Sequence, residues 1–213
     1  MLGMKKNKNK INSMKEFKKV YTKVVILLSA IRLIPHILLF NFHPLKNMIK
    51  YDVIRWLKCF KKVEHNQYGF IYLMTFYPEF RNLFYHRIGF LHRPIKWLCP
   101  QMNTLFLCTA EIGPGLIIQH GFATIVSAKS IGKDCWINQQ VTIGYTNDTD
   151  APTLGDNVTI RAGAKILGGI HIGNNSIVGA NAVVIKNVPE NCTVVGVPAY
   201  ICRRNGIKVN EKL

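Results

Sequence analysis

Acidic side chains are what this chain has least of: 11 Asp and Glu stand against 28 Lys and Arg in 213 residues, a formal net charge of +17. The deficit is uneven. Residues 1–103 carry 19 basic and 4 acidic side chains, whereas residues 104–213 carry 9 and 7. A basic block of this kind suits an anionic surface, either nucleic acid or membrane. No DNA- or RNA-recognition motif accompanies it, so no nucleic-acid partner is expected. The six cysteines, Cys59, Cys99, Cys108, Cys135, Cys192 and Cys202, contain no C-x-x-C pair, which argues against a disulfide framework. Nothing resembles a cleavable signal peptide, and reduced thiols in a cytoplasmic protein are expected. A continuous apolar run of membrane-spanning length is also missing. Residues 24–42 are rich in Val, Ile and Leu, but Arg32 interrupts them and Pro35 would kink a helix there.

The first half reads as helix. Eight lysines over residues 5–23 lie just ahead of the apolar stretch. That order suits a helix lying on the inner face of an anionic membrane, with residues 1–42 in peripheral contact, and equally a basic tail before a core helix. Between Tyr51 and Cys99 aromatic and basic residues alternate without Gly-rich punctuation, and Phe80, Leu83, Phe84 and Ile88 recur at helical spacing. Residues 1–103 are therefore expected to be a basic, mainly α-helical region.

Near Asn103 the texture changes, and an aliphatic residue returns every six positions. From Leu154 the series runs Ile160, Ile166, Ile172, Val178 and Val184 without exception. Ile, Leu and Val make up roughly 28% of the chain, so six hits in register have odds of about one in two thousand per trial. Backwards, Ile143, Ile137 and Ile131 keep the step, as do Ile118 and Ile112, with one extra residue between Ile118 and Ile131 and five between Ile143 and Leu154. Glycine follows the aliphatic at Gly113, Gly132, Gly155 and Gly173, marking coils of 19, 23, 18 and 18 residues. A period of six fits neither a helix at 3.6 nor a strand at 2. It fits a triangular coil whose flat sides each send one aliphatic to the axis, stacked on the next coil at about 4.8 Å, with Gly and Asn turning the corners at positive φ. The fold expected is mixed: a helical region at 1–103, a parallel β-helix at 104–204, and a C-terminal tail at 205–213.

Two residues beyond the second aliphatic of each coil stand His120, Gln139, Ala162 and Ala180. One outer edge thus carries a histidine at one level and alanines two and three coils on, a smooth strip along which an extended pantetheine arm would lie, its thioester toward His120. Alanines made small by crowded turns are the competing reading. His120 is the candidate general base, because an alcohol needs a proton acceptor near neutral pH and imidazole titrates there; a structural turn histidine is the alternative. Both departures from the repeat fall near it: the extra residue after His120 and the loop at 145–152. Other histidines (His36, His43, His65, His86, His92) show no metal-ligand spacing, and no metal is expected.

The stretches Ile118-Gln119-His120-Gly121, Ala162-Gly163-Ala164-Lys165-Ile166-Leu167-Gly168 and Gly196-Val197-Pro198-Ala199 resemble the hexapeptide-repeat acetyltransferases, notably serine acetyltransferases and related O-acetyltransferases. The resemblance covers about residues 104–204. It implies a left-handed β-helix, acetyl-CoA as co-substrate, His120 as catalytic base, Ala162, Gly163 and Ala180 along the CoA groove, and a homotrimer with CoA between subunits. Lys186, Arg203 and Arg204 would meet the CoA phosphates or stand idle as exposed charges. Departures bear on the acceptor. The Asp that precedes the family's catalytic His is Gln119 here, another active-site Asp is Leu105, and Arg-His-Pro of the loop is Asp150-Ala151-Pro152. A free amino acid needs ionic partners that these positions no longer supply. A sugar hydroxyl on a polysaccharide precursor would suit Gln119, Asn138, Gln139, Tyr145, Asp148 and Asp150, so a sugar O-acetyltransferase is the expectation. Serine O-acetyl transfer and a non-catalytic β-helix scaffold are the alternatives.

Overall fold

Apolar spacing in the first half produces five helices in the computed structural model, which describes residues 2–60 and 67–213 and, within the first of them, the side chains of residue 14 and of most positions from 16 onward. The side chains of seven of the eight N-terminal lysines, Lys5 to Lys19, and the whole of His65 lie outside what is described. The helices are α1 (Leu2–Arg32), α2 (Ile34–Phe42), α3 (Lys46–Cys59), α4 (Gln67–Phe76) and α5 (Pro78–Ile88). Between α1 and α2 the axis bends by 77°. Pro35 sits in the first turn of α2, where its missing N–H costs no hydrogen bond. No single described helix is long and apolar enough to cross a membrane, although the bent pair Val20–Arg32 and Ile34–Phe42 has the length and composition together. The expected stripe of α5 is the core of this layer: Phe80, Leu83, Phe84 and Ile88 are all buried, with Trp56 and Phe70 edge-on to Phe80 and Phe84.

From Leu105 the chain coils, and successive short strands visit three faces in turn. The first face holds β1 (Leu105–Leu107), β4 (Thr124–Val126), β7 (Thr142–Gly144), β10 (Lys165–Leu167) and β13 (Val183–Val184). The second holds β2 (Glu111–Ile112), β5 (Ser130–Ile131), β8 (Thr153–Leu154) and β11 (His171–Ile172). The third holds β3 (Ile117–Gln119), β6 (Trp136–Asn138), β9 (Thr159–Ile160), β12 (Ile177–Val178) and β14 (Cys192–Val195). These strands pair in parallel, and the register stacks Ile118 on Ile137, Ile160, Val178 and Val194. Every aliphatic of the six-residue series is buried.

Three details differ from the sequence expectation. On the first face it is Val126, not Ile125, that stacks on Ile143, so the corner after Ile118 is long and the next one short. The last coil is tighter than 18 residues, because Ile172 bridges Val188 and Val178 pairs Val194. Glycine also plays another part at the coil starts. Gly113, Gly132, Gly155 and Gly173 do not turn the chain at positive φ; a Cβ on Gly113 would lie 2.6 Å from the Gly132 backbone and one on Gly132 2.5 Å from the Gly155 carbonyl. Close approach of coils excludes a side chain there, while the left-handed conformations fall on Asp134, Asn157, Asn175 and Asn191. Asn157, Asn175 and Asn191 form a ladder of amide hydrogen bonds of 3.2 and 3.0 Å.

The segment expected as a tail is paired structure. β15 (Tyr200–Arg204) and β16 (Ile207–Lys212) fold back antiparallel on the third face. Asn205 and Gly206, at φ 50° and 80°, make the two-residue turn, the dipeptide that a tight hairpin favours.

A buried ion pair joins the helices to the prism. Arg87 Nε lies 2.9 Å from Asp52 Oδ2, both residues nearly inaccessible. Gly115 N–H donates to Asp52 at 2.6 Å, and Arg87 donates to the carbonyls of Ile112 and Gly113. Burial pushes the Asp52 carboxyl up, while the Arg87 guanidinium and the Gly115 amide pull it down. Trp56 Nε1 donates to Leu116 O at 2.8 Å beside this clamp. Asp52→Ala strands a buried guanidinium, so urea denaturation is expected to show a loss of about 3–5 kcal/mol.

His36 is inaccessible, with Nε2 2.9 Å from the Tyr85 hydroxyl. Burial, then Arg32 and Arg81, lower its pKa from 6.5 to about 4. The unfolded chain therefore takes up a proton on this group before the folded chain does. Its contribution is intact above pH 6.5 and is lost as pH falls toward 4, on the order of 3 kcal/mol. Urea midpoints measured across that window are expected to fall less steeply in His36→Gln than in the unmodified protein.

Candidate active site

The chain leaves β3 at Gln119, and His120 is the first residue of the corner between the third and first faces. Its φ of 62° is left-handed, a conformation that throws the side chain outward. The imidazole is exposed and has no hydrogen-bond partner among the described residues. Gly121, which follows, is buried; a Cβ there would lie 3.0 Å from Glu79 Cγ, 3.0 Å from Leu105 Cδ2 and 3.2 Å from Ile118 Cγ2. A side chain at 121 would displace this corner from the prism.

Below His120 the same corner carries Gln139, Ala162, Ala180 and Gly196. Gly163 N–H donates to Gln139 O at 3.0 Å and Asn181 N–H to Ala162 O at 2.9 Å, so the rungs are spaced by the backbone ladder itself. Ala162 and Gly163 are half-buried and Ala180 is exposed. Gly163, at φ 75°, leaves no room for a side chain, since a Cβ would meet the Asn181 Oδ1 at 2.0 Å. The strip expected from the sequence is thus one continuous edge. At its far end Ile185, Lys186, Pro198, Ala199, Tyr200 and Lys212 line an open cavity of about 300 Å³.

Beside His120 on the third face lie polar groups of neutral character. Asn138 Nδ2 donates to Gln119 Oε1 at 3.2 Å. Asn138 Oδ1, Gln139 Oε1 and Trp136 Nε1 are buried and lack partners among the described residues. Unpaired buried donors and acceptors are costly, and three along one strand end mark a place for a polar ligand. Trp136 carried no signal in the sequence beyond its place before an axial Ile.

The other expected residues sit elsewhere. Tyr145, Asp148 and Asp150 belong to the loop at the opposite end of the first face, separated from His120 within one chain by the width of a three-residue strand, about 10 Å. Tyr145 OH accepts from Ser127 Oγ at 2.9 Å. Asp150 is not turned to a ligand: it accepts from Thr146 N–H at 2.7 Å, from the Thr146 hydroxyl, and from Asn147. The Thr146 hydrogen bonds hold its carboxyl below the usual carboxylate range. Asp148 is exposed. Nor do the three expected phosphate contacts converge. Lys186 donates to the Leu213 carbonyl at 2.8 Å, Arg204 is paired with Glu211 at 2.6 Å, and Arg203 is exposed on β15. Among the described residues no group of three His, Cys, Asp or Glu side chains is placed to hold a metal ion.

From β1 to β14 the strands stack in parallel coils with the six-residue aliphatic period of a hexapeptide-repeat solenoid. Residues 151–186 match the family model described as bacterial transferase hexapeptide (six repeats). The chain resembles serine acetyltransferases throughout the prism and into the helices: it is 37% identical to the enzyme of Synechococcus elongatus over 148 residues, covering 63% of this chain and 61% of that one. It therefore spans less than two thirds of that relative's length. Among solved structures, soybean serine acetyltransferase complexed with serine superposes with a TM-score of 0.61 at 28% identity, covering 76% of this chain and 71% of that one. A serine acetyltransferase in complex with CoA superposes at 0.58 and 27% identity, covering 76% and 72%. The architecture of helices followed by a left-handed parallel β-helix is common to them.

Proposed function

We propose that the chain is an acetyl-CoA-dependent O-acetyltransferase in which His120 is the general base. The observation that carries this reading is the exposed His120 imidazole at the head of an edge whose later rungs, Ala162, Gly163 and Ala180, are small. The acceptor oxygen attacks the thioester carbonyl as His120 takes its proton. Collapse of the tetrahedral intermediate then breaks the C–S bond, and His120 returns the proton to the departing CoA sulfur. Backbone amides along the edge are the donors suited to the oxyanion. Lys186 and Lys212, beside the cavity at the far end, are the cations suited to the CoA phosphates; Lys212 replaces Arg204 in that part, because Arg204 is tied to Glu211. A homotrimer is part of this reading, since the loop carrying Tyr145 and Asp148 reaches an active site more readily from a neighbouring subunit than across its own first face.

The relatives named serine acetyltransferases, one of them complexed with serine, support serine as the acceptor. A second reading, a sugar hydroxyl, is favoured by specific residues: Gln119 and Leu105 where serine enzymes carry Asp, Asp150 satisfied within its own loop, and the neutral unpaired groups of Trp136, Asn138 and Gln139. Acetyl-CoA incubated with L-serine, or with UDP-N-acetylglucosamine as sugar probe, and analysed by mass spectrometry decides between them. His120→Ala is expected to reduce transfer at least 100-fold with the melting temperature unchanged. No heat of CoA binding in calorimetry would leave a scaffold instead of an enzyme.

Peripheral membrane contact belongs to the same proposal. In α1, Phe17, Val20, Tyr21, Val24, Leu27, Leu28 and Ile31 are exposed, and Ile34, Leu38 and Phe42 continue the row in α2, while Ile26, Leu33 and Phe40 face the core. An apolar row of this length preceded by lysines matches an anionic bilayer surface. Flotation with phosphatidylserine vesicles is expected to carry the protein at least tenfold better than with phosphatidylcholine, and Leu27→Asp with Ile31→Asp to remove the difference. Equal recovery with both lipids would end the membrane assignment.

A further inference from the structure

An imidazole that serves as a base works best when its second nitrogen is held by an acceptor, which fixes the tautomer and the ring's direction. On the prism, neither Gln119, which precedes His120, nor Leu105 of β1 is acidic. Leu105 is buried, and its Cδ2 lies 3.0 Å from where a Gly121 Cβ would be. Glu79 Cγ occupies the other side of the same glycine at the same 3.0 Å. One carboxylate-bearing side chain and one leucine thus flank Gly121, the residue after His120.

Glu79 stands in the first turn of α5, half-buried, and makes no hydrogen bond or ion pair among the described residues. Its charge is felt at Tyr77 but is not neutralised there. Consecutive Cα atoms are 3.8 Å apart, so Glu79 Cγ lies within about 8 Å of the His120 Cα, a gap that the carboxylate and the imidazole span by side-chain rotation. Both groups are otherwise unpartnered. The buried clamp of Arg87 on Asp52, Ile112 and Gly113 fixes α5 against the prism.

Resting on the reading of His120 as base, we infer that Glu79 is its positioning residue, accepting an imidazole N–H from α5 and thereby taking over the part of the acid missing from the prism at positions 105 and 119. Gly121 is the enabling residue: without a Cβ it lets a helix side chain reach the back of the corner.

Two readouts test this. In protein labelled with ¹⁵N-histidine, an exchange-protected imidazole N–H is expected that disappears in His120→Ala and in Glu79→Gln and persists in Glu79→Asp. Its absence from the unmodified protein, or its survival in Glu79→Gln, overturns the inference. In turnover, Glu79→Gln is expected to lower kcat at least tenfold with KM for acetyl-CoA and the melting temperature unchanged, and Leu105→Asp added to it to recover part of the loss. A lower melting temperature with kcat retained would reduce Glu79 to a helix-terminal acid, and a raised acceptor KM with kcat retained would make it a substrate contact; both outcomes overturn the inference. If the resonance depends on Glu79 but no acceptor is acetylated, the contact stands and the proposed function falls.

Discussion

Each coil of the prism must settle on the one before it at strand spacing, about 4.8 Å, and nearly everything else in the molecule answers to that constraint. Inside, it selects one aliphatic per side, so that Ile118, Ile137, Ile160, Val178 and Val194 form an unbroken column with no polar atom to satisfy. At one corner it forbids side chains altogether, which is why Gly113, Gly132, Gly155 and Gly173 stand in line. At the corners where the backbone must turn left-handed it selects Asn and Asp, whose short side chains tolerate that conformation and bond to the next rung. On the outside the same constraint lines up residues that are distant in sequence, and it is there that a histidine and a series of alanines become one edge.

The chemistry lies where the stacking is imperfect. The corner after Ile118 is longer than those after Ile137, Ile160 and Val178, and the extra length brings in Gly121, Phe122 and Ala123 next to His120. A regular corner would present a short turn with its side chain flush against the neighbouring coil. The helical half is therefore more than a cap on the prism: through Arg87, Asp52 and Trp56 it is joined to the first coil, and through Glu79 it brings a charge to the corner at Gly121.

Period and burial of the prism were readable from the sequence because they are one-dimensional: a six-residue repeat of Ile and Val has no other packing solution, and His120 was found as the unusual member of a column of small residues. The helix over Phe80 to Ile88 was readable for the same reason. What escaped was whatever depends on which corner a residue occupies. Tyr145, Asp148 and Asp150 are close to His120 in sequence register but lie across the first face from it, and Asp150 spends its acceptors on its own loop. Lys186, Arg203 and Arg204 looked like one basic cluster, yet two of them are tied to Leu213 and Glu211. The hairpin at 205–206 has its signal in the Asn-Gly dipeptide, which lies beyond the end of the six-residue repeat.

Glu79 belongs to neither group, since no spacing rule links a residue in a helix to a corner forty positions later. Its importance follows from a conservation of charge chemistry in place of position. An imidazole at a site of acyl transfer becomes cationic as the reaction proceeds, and a nearby carboxylate lowers the cost of that charge wherever in the fold it is rooted. On the prism, a carboxylate at position 105 would be buried and would pay desolvation; at the rim of α5 Glu79 remains half-exposed. The prism face beside His120, with Gln119 and Asn138 hydrogen-bonded to each other, is itself neutral.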